Sequence, residues 1–300
     1  MVTSRVFGLM VGLLVSLALY VLLRPPTIQV IAVTPDSPAT LGVDVASLIK
    51  VRTPADAEAA RAQALLEIFG GPLPTSTELP ASAVFLPAVR AASSRLAIYH
   101  GGHEQHAIDS PTVGILRRAG YDVYAISMPA GDHERFASEE RPLRPFLEPV
   151  ALTVNHALKQ HQYREVIMVG LSGGGWTTVL YAAIDPRIQR SYPVAGSAPE
   201  YLRGVVPKSE GDFEQTLPGL AIGYLDLYVM ATSGGREQLQ LFNRQDPCCF
   251  SGDLPYTYRD AVQREAASVG GWFDVVVSQH DAHDLSPTMA RLLWREESGN

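Results

Sequence analysis

From about residue 83 onward, short apolar runs alternate with stretches of helical character, and that rhythm leaves few folds open. Residues 95–99 (RLAIY), 122–127 (DVYAIS), 165–169 (EVIMV) and 190–195 read as buried strands, each closed by glycine, proline or a polar cluster. Residues 111–119, 145–160 and 174–184 read as the helices between them. After Ser197 the pattern pauses for about forty residues, and it returns with 238–243 (QLQLFN), a helix over 256–269, the run 272–278 (WFDVVVS) and a closing helix over 287–294. Strands that alternate with helices imply crossover connections, hence a mostly parallel sheet with helices on both faces. The expected fold class is therefore α/β, as one domain over residues 81–300 with a small inserted cap at about 197–236.

The chain before that domain is of a different kind. Residues 6–23 form a run of 18 residues without a charge, between Arg5 and Arg24, and Pro25-Pro26 ends it. At ~1.5 Å per residue the run spans about 27 Å, close to the hydrocarbon thickness of a bilayer. Residues 1–24 are thus expected to be a single-pass membrane anchor, with a cleaved signal segment as the competing reading. Either way the domain is expected outside the cytoplasm, or secreted if the segment is cut. Residues 25–80, rich in Pro, Ala and Thr, are expected to form a stalk and the first elements of the domain, with a β-prone stretch at 27–33 and a helix over Pro54–Phe69. The net charge of −7 and the lack of a basic stripe exclude nucleic acid as a natural partner. The two cysteines, Cys248 and Cys249, are adjacent. A trans peptide holds neighbouring Cα atoms about 3.8 Å apart, closer than disulfides usually allow, so two buried free thiols are expected, with a disulfide sustained by an oxidising compartment as the alternative.

One motif carries chemistry. Gly170-Leu171-Ser172-Gly173-Gly174 fits G-x-S-x-G, directly after the strand EVIMV and before a helical stretch. That is the setting of a nucleophile elbow, in which a serine sits on a tight turn and glycines let neighbouring backbone pass close by. The helix that starts there points N–H groups at developing negative charge. A glycine-rich phosphate loop or a plain strand–helix turn would use the same residue types.

The order strand–HGGH, strand, helix, strand–GLSGG–helix, DPRI, strand resembles the α/β-hydrolase superfamily over roughly residues 90–297. The resemblance implies a serine hydrolase with the order Ser, acid, His. It puts the acid after the strand QLQLFN, at Asp246, with Asp226, Asp253 and Asp281 as substitutes. The base falls in the loop after the last strand, where His283 is preferred to His280 because it lies further out and directly before the closing helix. The oxyanion donors would be Gly173 and, from the HGGH turn, Gly102. His103 stands where the esterase HGGG pattern has a third glycine, which departs from a specific lipase or esterase assignment.

His100, His103 and His106 share one loop, and His280 and His283 another, but the spacing is not that of a helix-borne HExxH and no cysteine cooperates. No metal or cofactor is expected. Trp176 and the apolar stretch 217–230 are expected in the core rather than in a substrate pocket. The resulting expectation is a membrane-tethered hydrolase of small carboxylic esters acting through an acyl-serine. A serine peptidase of the same fold and a binding protein that kept the fold without turnover are the alternatives.

Overall fold

The structure is a computed structural model that describes residues 41–89, 93–103, 106–205 and 209–295. The expected anchor at 1–24 and the β-prone stretch at 27–33 lie outside the described residues. Among the described residues no helix is long and apolar enough to cross a membrane.

The described chain opens with a short helix α1 (Val45–Leu48) and then α2 (Pro54–Phe69). Pro54 takes the first helical position, and Thr53 and Asp56 satisfy each other's backbone N–H groups in a reciprocal cap. There follow β1 (Ala83–Leu86), β2 (Arg95–His100), α3 (Pro111–Arg118), β3 (Asp122–Ile126), α4 (Arg144–Gln160), β4 (Glu165–Leu171), α5 (Gly173–Ile184), β5 (Arg190–Val194), α6 (Tyr224–Met230), β6 (Glu237–Asn243), α7 (Tyr256–Ser268), β7 (Trp272–Ser278) and α8 (Pro287–Arg295).

The strands form one sheet in the order β1-β3-β2-β4-β5-β6-β7. Every neighbouring pair is parallel except β1 with β3. Side chains alternate between faces, so the nearly unbroken apolar runs of the central strands are buried on both. On one face Leu96, Ile98, Met168, Phe242 and Phe273 pack with Leu147, Val150, Trp176, Leu180 and Tyr228 from α4, α5 and α6. On the other, Ala97, Tyr99, Ile167, Val169 and Leu241 meet Val113 and Leu116 of α3 and Met289 and Leu293 of α8. The α/β class with helices on both faces is what the alternation implies.

Within 197–236, the first part makes 3-10 turns at Glu200–Leu202 and Phe213–Thr216, whereas α6 is buried along its whole length. The apolar stretch 217–230 thus contributes to the core, as expected, and so does Leu202. The reading of the cysteines changes: Cys248 and Cys249 are not free thiols but are joined in a disulfide across Cα atoms 3.8 Å apart. The expectation failed because general distance preferences ignore the local turn, in which both cysteine N–H groups donate to the same oxygen of Asp246.

Candidate active site

Ser172 lies between the end of β4 and the start of α5 with φ 58° and ψ −123°, a conformation that side chains other than glycine rarely adopt. Its N–H donates to the Val194 carbonyl at 2.9 Å, and its own carbonyl accepts from Trp176 N–H at 2.9 Å, so the turn is tied to β5 and to α5. The flanking glycines answer a steric demand. A Cβ on Gly170 would stand 2.1 Å from the Gly174 carbonyl oxygen, and one on Gly174 would stand 2.1 Å from the His100 carbonyl oxygen. The crossing of strand, turn and helix is therefore closed to any larger residue at these two positions.

The HGGH turn lies against this serine. A Cβ on Gly102 would be 2.9 Å from Ser172 Cβ and 3.6 Å from Ser172 Oγ. Gly173 opens α5, and its N–H is among those that have no acceptor within a helix. Gly102 and Gly173 thus border the hydroxyl from two sides.

Asp246 and His283 come together. His283 Nδ1 donates to Asp246 Oδ2 at 2.8 Å, and the aspartate side chain is fully buried. The other oxygen, Oδ1, accepts from the N–H groups of Cys248 (2.8 Å) and Cys249 (3.1 Å). With its proton on Nδ1, a neutral His283 carries its lone pair on Nε2, and that atom is buried with no hydrogen-bond partner. Ser172 Oγ and His283 make no hydrogen bond to each other, but Leu171, directly before the serine, lines one cleft with His283, His106, Ser110, Thr112 and Leu285. His280 turns elsewhere and pairs with the exposed Asp284 at 2.7 Å. Two of the three substitute acids are engaged elsewhere: Asp226 accepts the backbone N–H groups of Lys50 and Val51, and Asp253 pairs with Arg244.

Asn243 was not singled out from the sequence. At the end of β6, its side-chain amide donates to the carbonyls of both Ala282 and Asp284 at 2.8 Å, which clamps the loop on either side of His283. Ser278 holds the amide oxygen at 2.7 Å. A polar residue ending an apolar strand was the available signal.

The remaining histidines divide. His100 is buried and donates from Nδ1 to the Gly101 carbonyl, and burial pushes its pKa down to about 4. His106 borders the cleft. His103 lies against Gly173 and reaches Glu214 Oε1 at 2.8 Å, while His133 Nδ1 stands 3.1 Å from Glu214 Oε2. Burial, the largest single influence, raises the Glu214 carboxyl, but the His103 contact, a backbone N–H and the nearby His133 together outweigh it and leave the group below its usual value. Neither His133 nor Glu214 could be found from sequence, since they lie 30 and 111 residues from His103 with no motif linking them.

No protein-family profile and no curated protein sequence matches the chain. Solved structures do resemble it. A methylesterase superposes with a TM-score of 0.60 at 16% identity, over 86% of this chain and 67% of that one. Est1E from Butyrivibrio proteoclasticus gives 0.50 at 14% identity, over 72% and 90%. An acylaminoacyl peptidase from Pyrococcus horikoshii gives 0.50 at 11% identity, over 72% and 37%. Strand order, the turn at Ser172 and these likenesses agree: the chain has the α/β-hydrolase fold.

Proposed function

We propose that the protein is a serine hydrolase that cleaves carboxylic esters through an acyl-serine intermediate. The observation that carries this reading is a serine held at positive φ on the strand–helix turn, in a site where a half-buried histidine has its Nδ1 fixed by an aspartate and its buried Nε2 lone pair unused. Ser172 Oγ attacks the ester carbonyl carbon and passes its proton to His283 Nε2. Asp246 keeps the tautomer and stabilises the imidazolium. The N–H groups of Gly102 and Gly173 bind the oxyanion of the tetrahedral intermediate. His283 then protonates the departing alkoxide, leaving the acyl group on Ser172. In the second half His283 deprotonates a water, which attacks the acyl carbon; the proton returns to Ser172 Oγ and the free acid leaves.

Ester substrates are favoured by the likeness to a methylesterase and to Est1E, one structure of which has ferulic acid bound. The cleft beside His283, lined by Ile115 and Leu285 as well as Ser110 and Thr112, suits a small acyl or alkyl group with some polar character. The Cys248–Cys249 disulfide fits an oxidising compartment, and with residues 1–24 as anchor it supports a domain held on the outer side of a membrane. The test is hydrolysis of p-nitrophenyl esters of rising acyl length beside peptide p-nitroanilides. Ester turnover that is lost in Ser172→Ala supports the reading. Cleavage of the peptides alone, or ester turnover equal in wild type and Ser172→Ala, overturns it.

A further inference from the structure

A neutral His133 facing an ionised Glu214 cannot satisfy both of its ring nitrogens with hydrogen bonds. His133 Nε2 lies 2.7 Å from the Pro129 carbonyl oxygen, which can only accept, so the proton of a neutral ring is on Nε2. The lone pair is then on Nδ1, and it faces Glu214 Oε2 at 3.1 Å. A carboxylate oxygen and an unprotonated ring nitrogen at that distance repel each other. The Glu214 side chain has no exposure to water, so solvent does not relieve the conflict. A proton or a metal ion must stand between them.

The third partner favours the metal over the proton. His103 Nε2 converges on the same point, 3.3 Å from His133 Nδ1 and 2.8 Å from Glu214 Oε1. Protons on both facing nitrogens would give each carboxylate oxygen a donor, but would leave two donor nitrogens 3.3 Å apart, whereas an ion accepts both lone pairs and the carboxylate at once. Bonds of about 2.0–2.1 Å from a tetrahedral ion put its ligand atoms about 3.3 Å apart, close to the spacing seen here. The surroundings are those of a ligand histidine. Its far nitrogen is fixed on a backbone carbonyl, and its ring lies against Phe136 and Phe146. Asp212 Oδ2, 3.4 Å from His103 Nε2, stands on the exposed side.

We propose that His103 Nε2, His133 Nδ1 and the Glu214 carboxylate bind a divalent transition-metal ion of the zinc class, with the fourth position facing solvent beside Asp212. Two imidazoles and one carboxylate suit Zn²⁺ better than Ca²⁺ or Mg²⁺, which take oxygen ligands. The ion would pin the HGGH turn to the segment Phe213–Thr216. It would do so next to Gly173, because a Cβ there would touch the His103 ring at 2.5 Å. His103, which stands where the HGGG pattern has its third glycine, then has a purpose of its own. The site stands whether or not Ser172 turns over an ester.

The test uses the full chain in detergent, stripped with a chelator and titrated with Co²⁺ and then Zn²⁺. One equivalent of Co²⁺ should give the visible bands of a tetrahedral site, and Zn²⁺ should bleach them. His103→Ala and Glu214→Gln should each weaken Zn²⁺ binding by about a hundredfold or more, beyond the tenfold to hundredfold that loss of an outer partner costs. Ser172→Ala should bind as wild type does, so failure of the hydrolase reading would leave this result intact. His103 is the partly exposed member, and its alanine variant should keep the wild-type circular dichroism. No cobalt uptake by folded wild type would overturn the proposal; equal Zn²⁺ affinity in wild type and both variants would overturn it too.

Discussion

The carboxylate of Asp246 divides its two oxygens between His283, held through Nδ1 at 2.8 Å, and the backbone of its own turn, where Cys248 and Cys249 donate. All of its partners are donors. An asparagine can accept on one side only, so its NH₂ would oppose either the histidine or the turn. Asp246→Asn should therefore lower kcat by about 10⁴-fold, the size seen when an imidazole is left in the wrong tautomer. Steady-state kinetics on an activated ester reads this directly, and a loss below tenfold would argue against Asp246 as the orienting acid.

Asn243 acts on the same histidine from the other side, through the loop carbonyls of Ala282 and Asp284. Asn243→Ala should release that loop and misplace Nε2 by a fraction of an ångström to an ångström, which costs about 10- to 100-fold in kcat. KM should stay close to wild type, because the residue does not line the cleft. A change confined to KM would contradict a positioning role.

The glycines separate fold from chemistry. A methyl on residue 174 meets the His100 carbonyl oxygen at 2.1 Å, backbone against backbone, where nothing can yield. Gly174→Ala should cost more than about 4 kcal/mol and leave little soluble protein. At residue 102 the methyl meets Ser172 Cβ at 2.9 Å and the Leu171 carbonyl oxygen at 3.0 Å. Gly102→Ala should stay folded and lose about 10²-fold or more in kcat, the order of one oxyanion donor. Urea unfolding and kinetics on the two variants check both halves.

His100 makes stability depend on pH. Burial lowers its folded pKa to about 4 from an ordinary 6.5. Between those values the unfolded chain binds more protons, so the stabilisation present above pH 6.5 is lost as pH falls toward 4. The slope from this group reaches at most about 1.4 kcal/mol per pH unit. Asparagine can reproduce the Nδ1 donor to the Gly101 carbonyl without titrating. Urea denaturation between pH 7 and 4.5 should therefore fall less steeply for His100→Asn than for wild type, and parallel curves would contradict this.

Much of this was legible in the sequence because the physics was local. The strand runs are apolar on both faces and close on glycine or polar residues, so β2 to β7 fall within two residues of where periodicity puts them. Pro54 and the Thr53–Asp56 cap mark the start of α2 in the same way. β1 was harder to see: it has only four residues, and Val84 and Phe85 remain exposed on an edge. The burial of the helix Tyr224–Met230 was legible too, because its stretch is apolar on all sides. The glycine at 102, the serine at 172 and the acid at 246 lie in motif or chain-order positions. His133, Glu214 and Asn243 do not. They act through contacts across 30 to 111 residues, and no spacing rule encodes such contacts.

The most direct measurement is covalent. The protein would be treated with a fluorophosphonate, digested, and the adduct located by mass spectrometry, with Ser172→Ala and His283→Ala in parallel. The account predicts a single phosphonylated residue, Ser172, with no adduct in Ser172→Ala and labelling slowed by about 10³-fold or more when the base is removed. An adduct on any other serine, or labelling of Ser172 at the wild-type rate without His283, would contradict it.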